Sequence, residues 1–167
     1  MNRMYSVKDF ISGIERILKI FPDVSIGTDV IAGFPGEGEP EFKNTEQVIR
    51  AIPFSYLHVF PYSQRPKTKA VELHGEVMEQ LKKERASALR EIGAAKKISY
   101  IKKNIGKTLD TIVEDKFENG SFGTTGNYIK IFIEGTNNLT QGMLVNVHLS
   151  EYKNSLAVGS PILNIKP

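Results

Sequence analysis

Thr28-Asp29-Val30-Ile31-Ala32-Gly33-Phe34-Pro35-Gly36-Glu37 is the stretch on which the fold turns. It closes a β-rich run, 24–32, with a turn bounded by glycine and proline. Apolar residues fall on both faces of that run, at Ile26, Val30 and Ile31, which is the pattern of a buried parallel strand. Glycines at the C-terminal end of such a strand let a ligand approach the backbone, and ligands of α/β folds collect at that end. A tight turn that holds no ligand is an equally open reading of Gly33-Phe34-Pro35-Gly36.

Upstream, residues 6–20 repeat Val7, Phe10, Ile11, Ile14, Ile17 and Leu18 at helical spacing. Ser6 and Asp9 form a helix-start signal, and Phe21-Pro22-Asp23 stops the helix. Downstream, Pro40 opens a second helix with Phe42, Thr45, Val48, Ile49 and Ile52 on one side, and Pro53 ends it. Ser55 to Phe60 is a second strand. Helix, strand, helix, strand is βα alternation, so this section reads as part of a parallel-sheet α/β unit. Two strands cannot complete such a sheet, whose faces both need cover, so the section reads as cut from something larger. Its free strands predict a homo-oligomeric contact. The second strand runs into Leu57-His58-Val59-Phe60-Pro61-Tyr62-Ser63-Gln64-Arg65-Pro66. Phe60 and Tyr62 offer an aromatic platform, and Arg65 a cation, which suit an adenine ring and a carboxylate or phosphate. A core phenylalanine followed by a surface arginine is the equally open alternative.

Residues 63–75 are polar and irregular. A long basic helix follows over 76–102, with Val77, Leu81, Ala88, Leu89, Ile92 and Ile98 inward and Gly93 as a bend or an end. From Ile105 the period changes to two. Strands are predicted over 106–115, 120–125, 128–133, 143–149 and 154–165. Turn clusters separate them at Glu118-Asn119-Gly120, Gly126-Asn127 and Gly135-Thr136-Asn137-Asn138. Five short antiparallel strands in this span have the rhythm of a small β-barrel.

The chain has 167 residues, room for one ordinary domain or two small ones. It has no cysteine, which excludes disulfides, thiolate zinc sites and cysteine-held iron–sulfur clusters within it. His58, His74 and His148 are scattered without metal-ligand spacing, so no metal is expected. No apolar run approaches the roughly 20 residues of a membrane helix, and the start carries no apolar signal core, so a cytoplasmic protein without membrane contact is expected. The net charge of +3 is unevenly spread. Residues 1–79 hold 9 basic and 11 acidic side chains, 80–103 hold 8 and 2, and 104–167 hold 5 and 6. That central excess suggests a contact surface for a polyanion, through Lys82, Lys83, Lys96, Lys97, Lys102 and Lys103. A solvated Lys- and Glu-rich helix face is the alternative.

The two quoted strings, with Met1-Asn2-Arg3-Met4-Tyr5 and Pro53-Phe54-Ser55-Tyr56-Leu57-His58-Val59-Phe60, resemble the methylthiotransferase family of radical-SAM enzymes, the MiaB-like proteins. The likeness is closest to the branch called MtaB, which acts on threonylcarbamoyladenosine beside the tRNA anticodon. It covers essentially the whole chain. Residues 105–167 match mainly through Gly123-Thr124-Thr125-Gly126-Asn127-Tyr128 and the strand pattern.

The resemblance implies an α/β plus all-β chain. The last βα units of an incomplete (βα) radical-SAM barrel would fill 1–75. A basic linking helix would span 76–103. A small five-stranded OB-like antiparallel β-barrel, the RNA-binding TRAM domain, would fill 104–167. The implied activity is addition of a methylthio group to a modified adenosine of tRNA, gripped at the anticodon stem-loop. The implied cofactors are S-adenosylmethionine and two 4Fe–4S clusters in the parent protein, with none bound to this chain, which alone is expected to be inactive. Ile31, Gly33, Phe34, Phe60 and Tyr62 would lie by the nucleoside of S-adenosylmethionine, and Arg65 would face it or the substrate. Tyr128 and Lys130 would join the helix lysines as RNA contacts. A stand-alone RNA-binding module is one alternative. A fragment of a ribosomal-protein methylthiotransferase is another, although those relatives usually carry Glu where Arg65 stands.

Overall fold

Ser6 starts the first helix. Its Oγ accepts from the Asp9 N–H at 3.2 Å while the Asp9 carboxylate accepts from the Ser6 N–H at 2.9 Å, a reciprocal cap. The Ser6 hydroxyl, donating to the Asp9 carboxylate at 2.6 Å, and the Ser6 N–H hold that carboxyl below its usual range. The helix, α1, runs Val7–Ile20 and buries Ile14 against Ile52 and Phe54. The computed structural model describes residues 4–135 and 138–162. Met1-Asn2-Arg3, Thr136 and Asn137, and the end of the 154–165 strand lie outside the described residues.

The chain forms two units, Met1–Lys97 and Ile98–Pro167. In the first, β1 (Gly27–Ala32) and β2 (Tyr56–Pro61) pair in parallel from Gly27↔Tyr56 to Ala32↔Pro61. Between them in sequence lies α2 (Glu39–Ala51), with Pro40 in its first turn. After an irregular stretch comes α3 (Glu79–Lys103), which runs on past the unit boundary. Val30, Ala32, Leu57 and Val59 pack with Phe42 and Ile49 of α2 and Ala86, Leu89 and Ile92 of α3. Alternation along the strands therefore puts Ile31, Tyr56, His58 and Phe60 on the opposite face of the sheet.

Gly93 does not end α3, which is continuous over Glu79–Lys103. It is buried against β2, where an added Cβ would lie 3.2 Å from the Leu57 Cβ. The glycine serves close helix–strand approach, which the breaker reading of its sequence position did not anticipate.

The second unit is a closed barrel of β3 (Thr108–Phe117), β4 (Gly120–Thr125), β5 (Lys130–Glu134), β6 (Leu144–Lys153) and β7 (Leu156–Pro161). Its order is β3-β4-β5-β7-β6, closed by β6 on β3. The expectation of an all-antiparallel barrel is corrected here, because β5 and β7 pair in parallel from Ile131↔Ala157 to Ile133↔Gly159. A ring of five strands cannot alternate direction all the way round, so one pair must run parallel. Alternating residues Val113, Ile131, Ile133, Val147, Leu149 and Ala157 fill the interior. No helix among the described residues is long and apolar enough to cross a membrane.

Candidate functional site

The turn after β1 is shaped from within. Gly33 has φ of 77° and Gly36 of 82°, left-handed conformations that side chains resist. The Gly33 N–H donates to the Glu37 carboxylate at 2.9 Å, and Gly36 N–H to the Gly75 carbonyl at 2.8 Å. Arg85 on α3 then grips Glu37 twice, donating to its carbonyl at 2.8 Å and its Oε1 at 2.9 Å. One carboxylate thus accepts from both the turn's backbone and a buried guanidinium, which fixes the turn to the helix.

Ile31 and Phe60 are register partners on the neighbouring strands and stand 38% and 52% exposed. They form a small open apolar pair at the C-terminal ends of β1 and β2. Phe34 and Tyr62 form a separate pair, edge to face at 5.3 Å. The Lys82 ammonium lies 5.6 Å over the Tyr62 ring. The Tyr62 hydroxyl is buried without a hydrogen-bond partner among the described residues. Arg65 is exposed, and its carbonyl accepts from the Thr68 hydroxyl at 2.8 Å. A second recess, of about 870 Å³, is lined by Phe10, Asp29, Val48, Phe54, Tyr56 and His58, among others, and includes none of these six residues.

The basic helix does not offer all its lysines. Lys82 is 3% exposed and donates to Glu79 at 2.7 Å, with Glu76 at 3.7 Å. The Glu79 hydrogen bond raises the pKa of Lys82 above that of an ordinary lysine. Lys96 donates to the Arg50 and Ile52 carbonyls at 3.0 and 2.6 Å, at the end of α2. Burial pushes its pKa down. Both ammoniums are committed within the chain, so as open cations for a polyanion they are corrected. Lys83, Lys97, Lys102 and Lys103 are exposed. Spacing could have revealed the inward pair, because Lys82 and Lys96 share a helical row with Ala86, Leu89 and Ile92.

In the barrel, Tyr128 is exposed on the β4–β5 turn, and Lys130 pairs with Glu114. That bond, together with one from the Thr124 hydroxyl, holds the Glu114 carboxyl below its usual range. A polar set lies beside Tyr128, with Asn104 and Thr125 buried and Asn127 half-buried. Thr125 and Asn127 stood in the Gly123–Tyr128 string that carries the barrel's resemblance, but nothing in the sequence tied them to Asn104. The described residues contain no group of three or more His, Cys, Asp or Glu side chains that could hold a metal ion.

No family model matches the chain. It is 42% identical over 147 residues, 88% of its length, to the threonylcarbamoyladenosine tRNA methylthiotransferase MtaB of Aquifex aeolicus. It is 35% identical over 154 residues, 89% of its length, to the protein of the same name from Bacillus subtilis. To the tRNA-2-methylthio-N(6)-dimethylallyladenosine synthase of Endomicrobium trichonymphae it is 36% identical over 158 residues, 93% of its length. The matched parts are 34%, 34% and 37% of those proteins, so the chain spans about a third of the length of its curated relatives.

Proposed function

This chain is a homologue, over about a third of their length, of the tRNA methylthiotransferases, and from that premise we propose that it is the C-terminal part of such an enzyme. In this reading β1 and β2 are the last strands of a radical-SAM (βα) barrel, and the five-stranded barrel is a TRAM domain that grips tRNA at the anticodon stem-loop. The target is threonylcarbamoyladenosine, as in the name of the 42%-identical relative. S-adenosylmethionine, when bound to the whole enzyme, supplies the radical chemistry and the methyl group.

This chain's own residues fit one wall of that cofactor's site. The Ile31–Phe60 pair supplies an apolar seat for an adenine ring at the strand ends. Gly33 and Phe34 belong to the turn that follows β1, and the Glu37–Arg85 clasp holds that turn. Tyr62 acts from behind Phe34, and Arg65 is the exposed cation for a carboxylate. An iron–sulfur cluster does not fit this chain, which has no cysteine, so the clusters belong to other parts of the enzyme. Lys83, Lys97, Lys102 and Lys103 are the cations proposed to meet phosphate, with Tyr128 and Lys130 on the barrel.

The observation that carries the proposal is the match over 88% of the chain to enzymes named for this reaction, coinciding with an open apolar pair at the strand ends. Deleting the gene segment for residues 1–167 in its host, then digesting tRNA and analysing nucleosides by mass spectrometry, tests it. The 2-methylthio form of threonylcarbamoyladenosine should disappear and its unthiolated precursor accumulate. An unchanged nucleoside profile would overturn the proposal.

A further inference from the structure

Tyr128 stands at φ of 64°, a left-handed conformation that a bulky residue adopts only when its surroundings enforce it. Glycine or asparagine would close the same turn at less strain. The surroundings here are specific. The Thr125 hydroxyl donates to the Asn127 side-chain oxygen at 2.7 Å and accepts from the Ile129 N–H at 2.9 Å. The Tyr128 N–H donates to the Thr125 carbonyl at 2.9 Å, and the Gly126 N–H to the Asp110 carbonyl at 2.7 Å. Asn127 in turn donates to Asn104 at 3.1 Å, and Asn104, 0% exposed, donates to the Tyr100 carbonyl at 2.9 Å. The residues on either side of Tyr128 are therefore locked, with Ile129 buried in the barrel core, while the Tyr128 ring is 77% exposed. Strain, a rigid mount and an unused ring together fit a group held ready for a partner rather than one that serves the fold.

We propose that Tyr128 is the stacking platform for one unpaired base of the bound RNA, with Thr125, Asn127 and Asn104 as its positioning residues. This rests on the RNA-binding reading above. The partner follows from chemistry: every base has a π-face, and a fixed aromatic ring beside cations is how single-stranded nucleic acid is held. The cations are close along the chain, since Asn104, which holds Asn127, directly follows Lys102 and Lys103 in the last turn of α3.

The chain contains no tryptophan, so Tyr128→Trp installs a single indole at the proposed contact. The full chain carrying it is titrated with an anticodon stem-loop RNA at low salt, following indole emission and, separately, the anisotropy of labelled RNA. Emission should be quenched in step with binding. Tyr128→Gly should weaken binding about tenfold to a hundredfold, the usual loss per stacked base, while its melting temperature stays level or rises because the backbone strain is relieved. Tyr128→Phe should bind like the parent. Asn127→Ala, placed in the Tyr128→Trp background, should reduce the quench at saturating RNA. RNA bound by anisotropy with unquenched indole, or Tyr128→Gly binding as tightly as the parent, would overturn the stacking role and leave the RNA reading standing. No RNA binding by the parent chain at all would remove both.

Discussion

Arg85 holds Glu37 by two bonds, at 2.8 Å to its carbonyl and 2.9 Å to its carboxylate, across the turn that follows β1. A second ion pair joins the guanidinium to Glu39 at 3.5 Å. Both partners of the Arg85–Glu37 pair are largely buried. Removing the arginine strands a desolvated carboxylate, which typically costs about 3 kcal/mol. Arg85→Ala should therefore lower the unfolding free energy by about that much in urea titration. Arg85→Lys should recover only part of it, because an ammonium cannot reproduce the forked geometry.

Gly33 faces the stem of Lys82, whose Cγ would lie 2.4 Å from an added Cβ. Gly33→Ala meets that clash and a left-handed φ together, a loss of about 2 kcal/mol. Shortening the neighbour relieves only the clash. A double-mutant cycle with Lys82→Ala should show a coupling of about 1 kcal/mol, measured by chemical denaturation.

Glu114 gives the barrel a predictable response to acid. Its folded pKa is depressed, first by the Lys130 bond, so the stability it contributes is present above the ordinary glutamate pKa and is lost as pH falls through the lower folded value. Glu114→Gln should unfold at lower temperature than the parent at neutral pH. The two melting curves should converge only in acid below that depressed folded value, where both side chains are neutral. Curves that remain apart in acid would place the effect elsewhere.

Much of this was legible in sequence because local rules and tertiary packing agreed. Ser6 and Asp9 announced α1, Pro40 announced α2, and the period-two pattern announced all five barrel strands. What was not legible depended on partners distant in the chain. Whether Lys82 faces solvent or protein is decided by Glu76, Glu79 and the Tyr62 ring. Lys96 is claimed by carbonyls at the end of α2, some 44 residues away. The parallel β5–β7 pair is a property of closing an odd ring, not of either strand. Tyr128 was readable as an exposed aromatic, but its strained mount depends on Asn104, at a separation of 23 from Asn127.

The two-stranded sheet predicts association. Among the described residues β1 and β2 alone form it, so each has an edge that no described strand pairs, and Ile31 and Phe60 on one face are exposed. At about 25 cal/mol per Å² of apolar area, modest burial there would drive contact between copies. Light scattering at micromolar concentration should show species above the monomer mass, and Phe60→Lys should reduce them. A monodisperse monomer throughout would contradict this.

RNA binding by the full chain, measured against salt, decides whether the exposed lysines of α3 meet phosphate. The parent should bind an anticodon stem-loop with an affinity that falls steeply as salt rises. Lys97→Gln and Lys102→Gln should each reduce the log–log slope by roughly 0.7 to 0.9, the value of one phosphate contact. Lys82→Gln should leave the slope unchanged, since its ammonium is held by Glu79. Binding that ignores salt, or slopes identical in all four proteins, would contradict the proposal that this chain is the tRNA-gripping part of a methylthiotransferase.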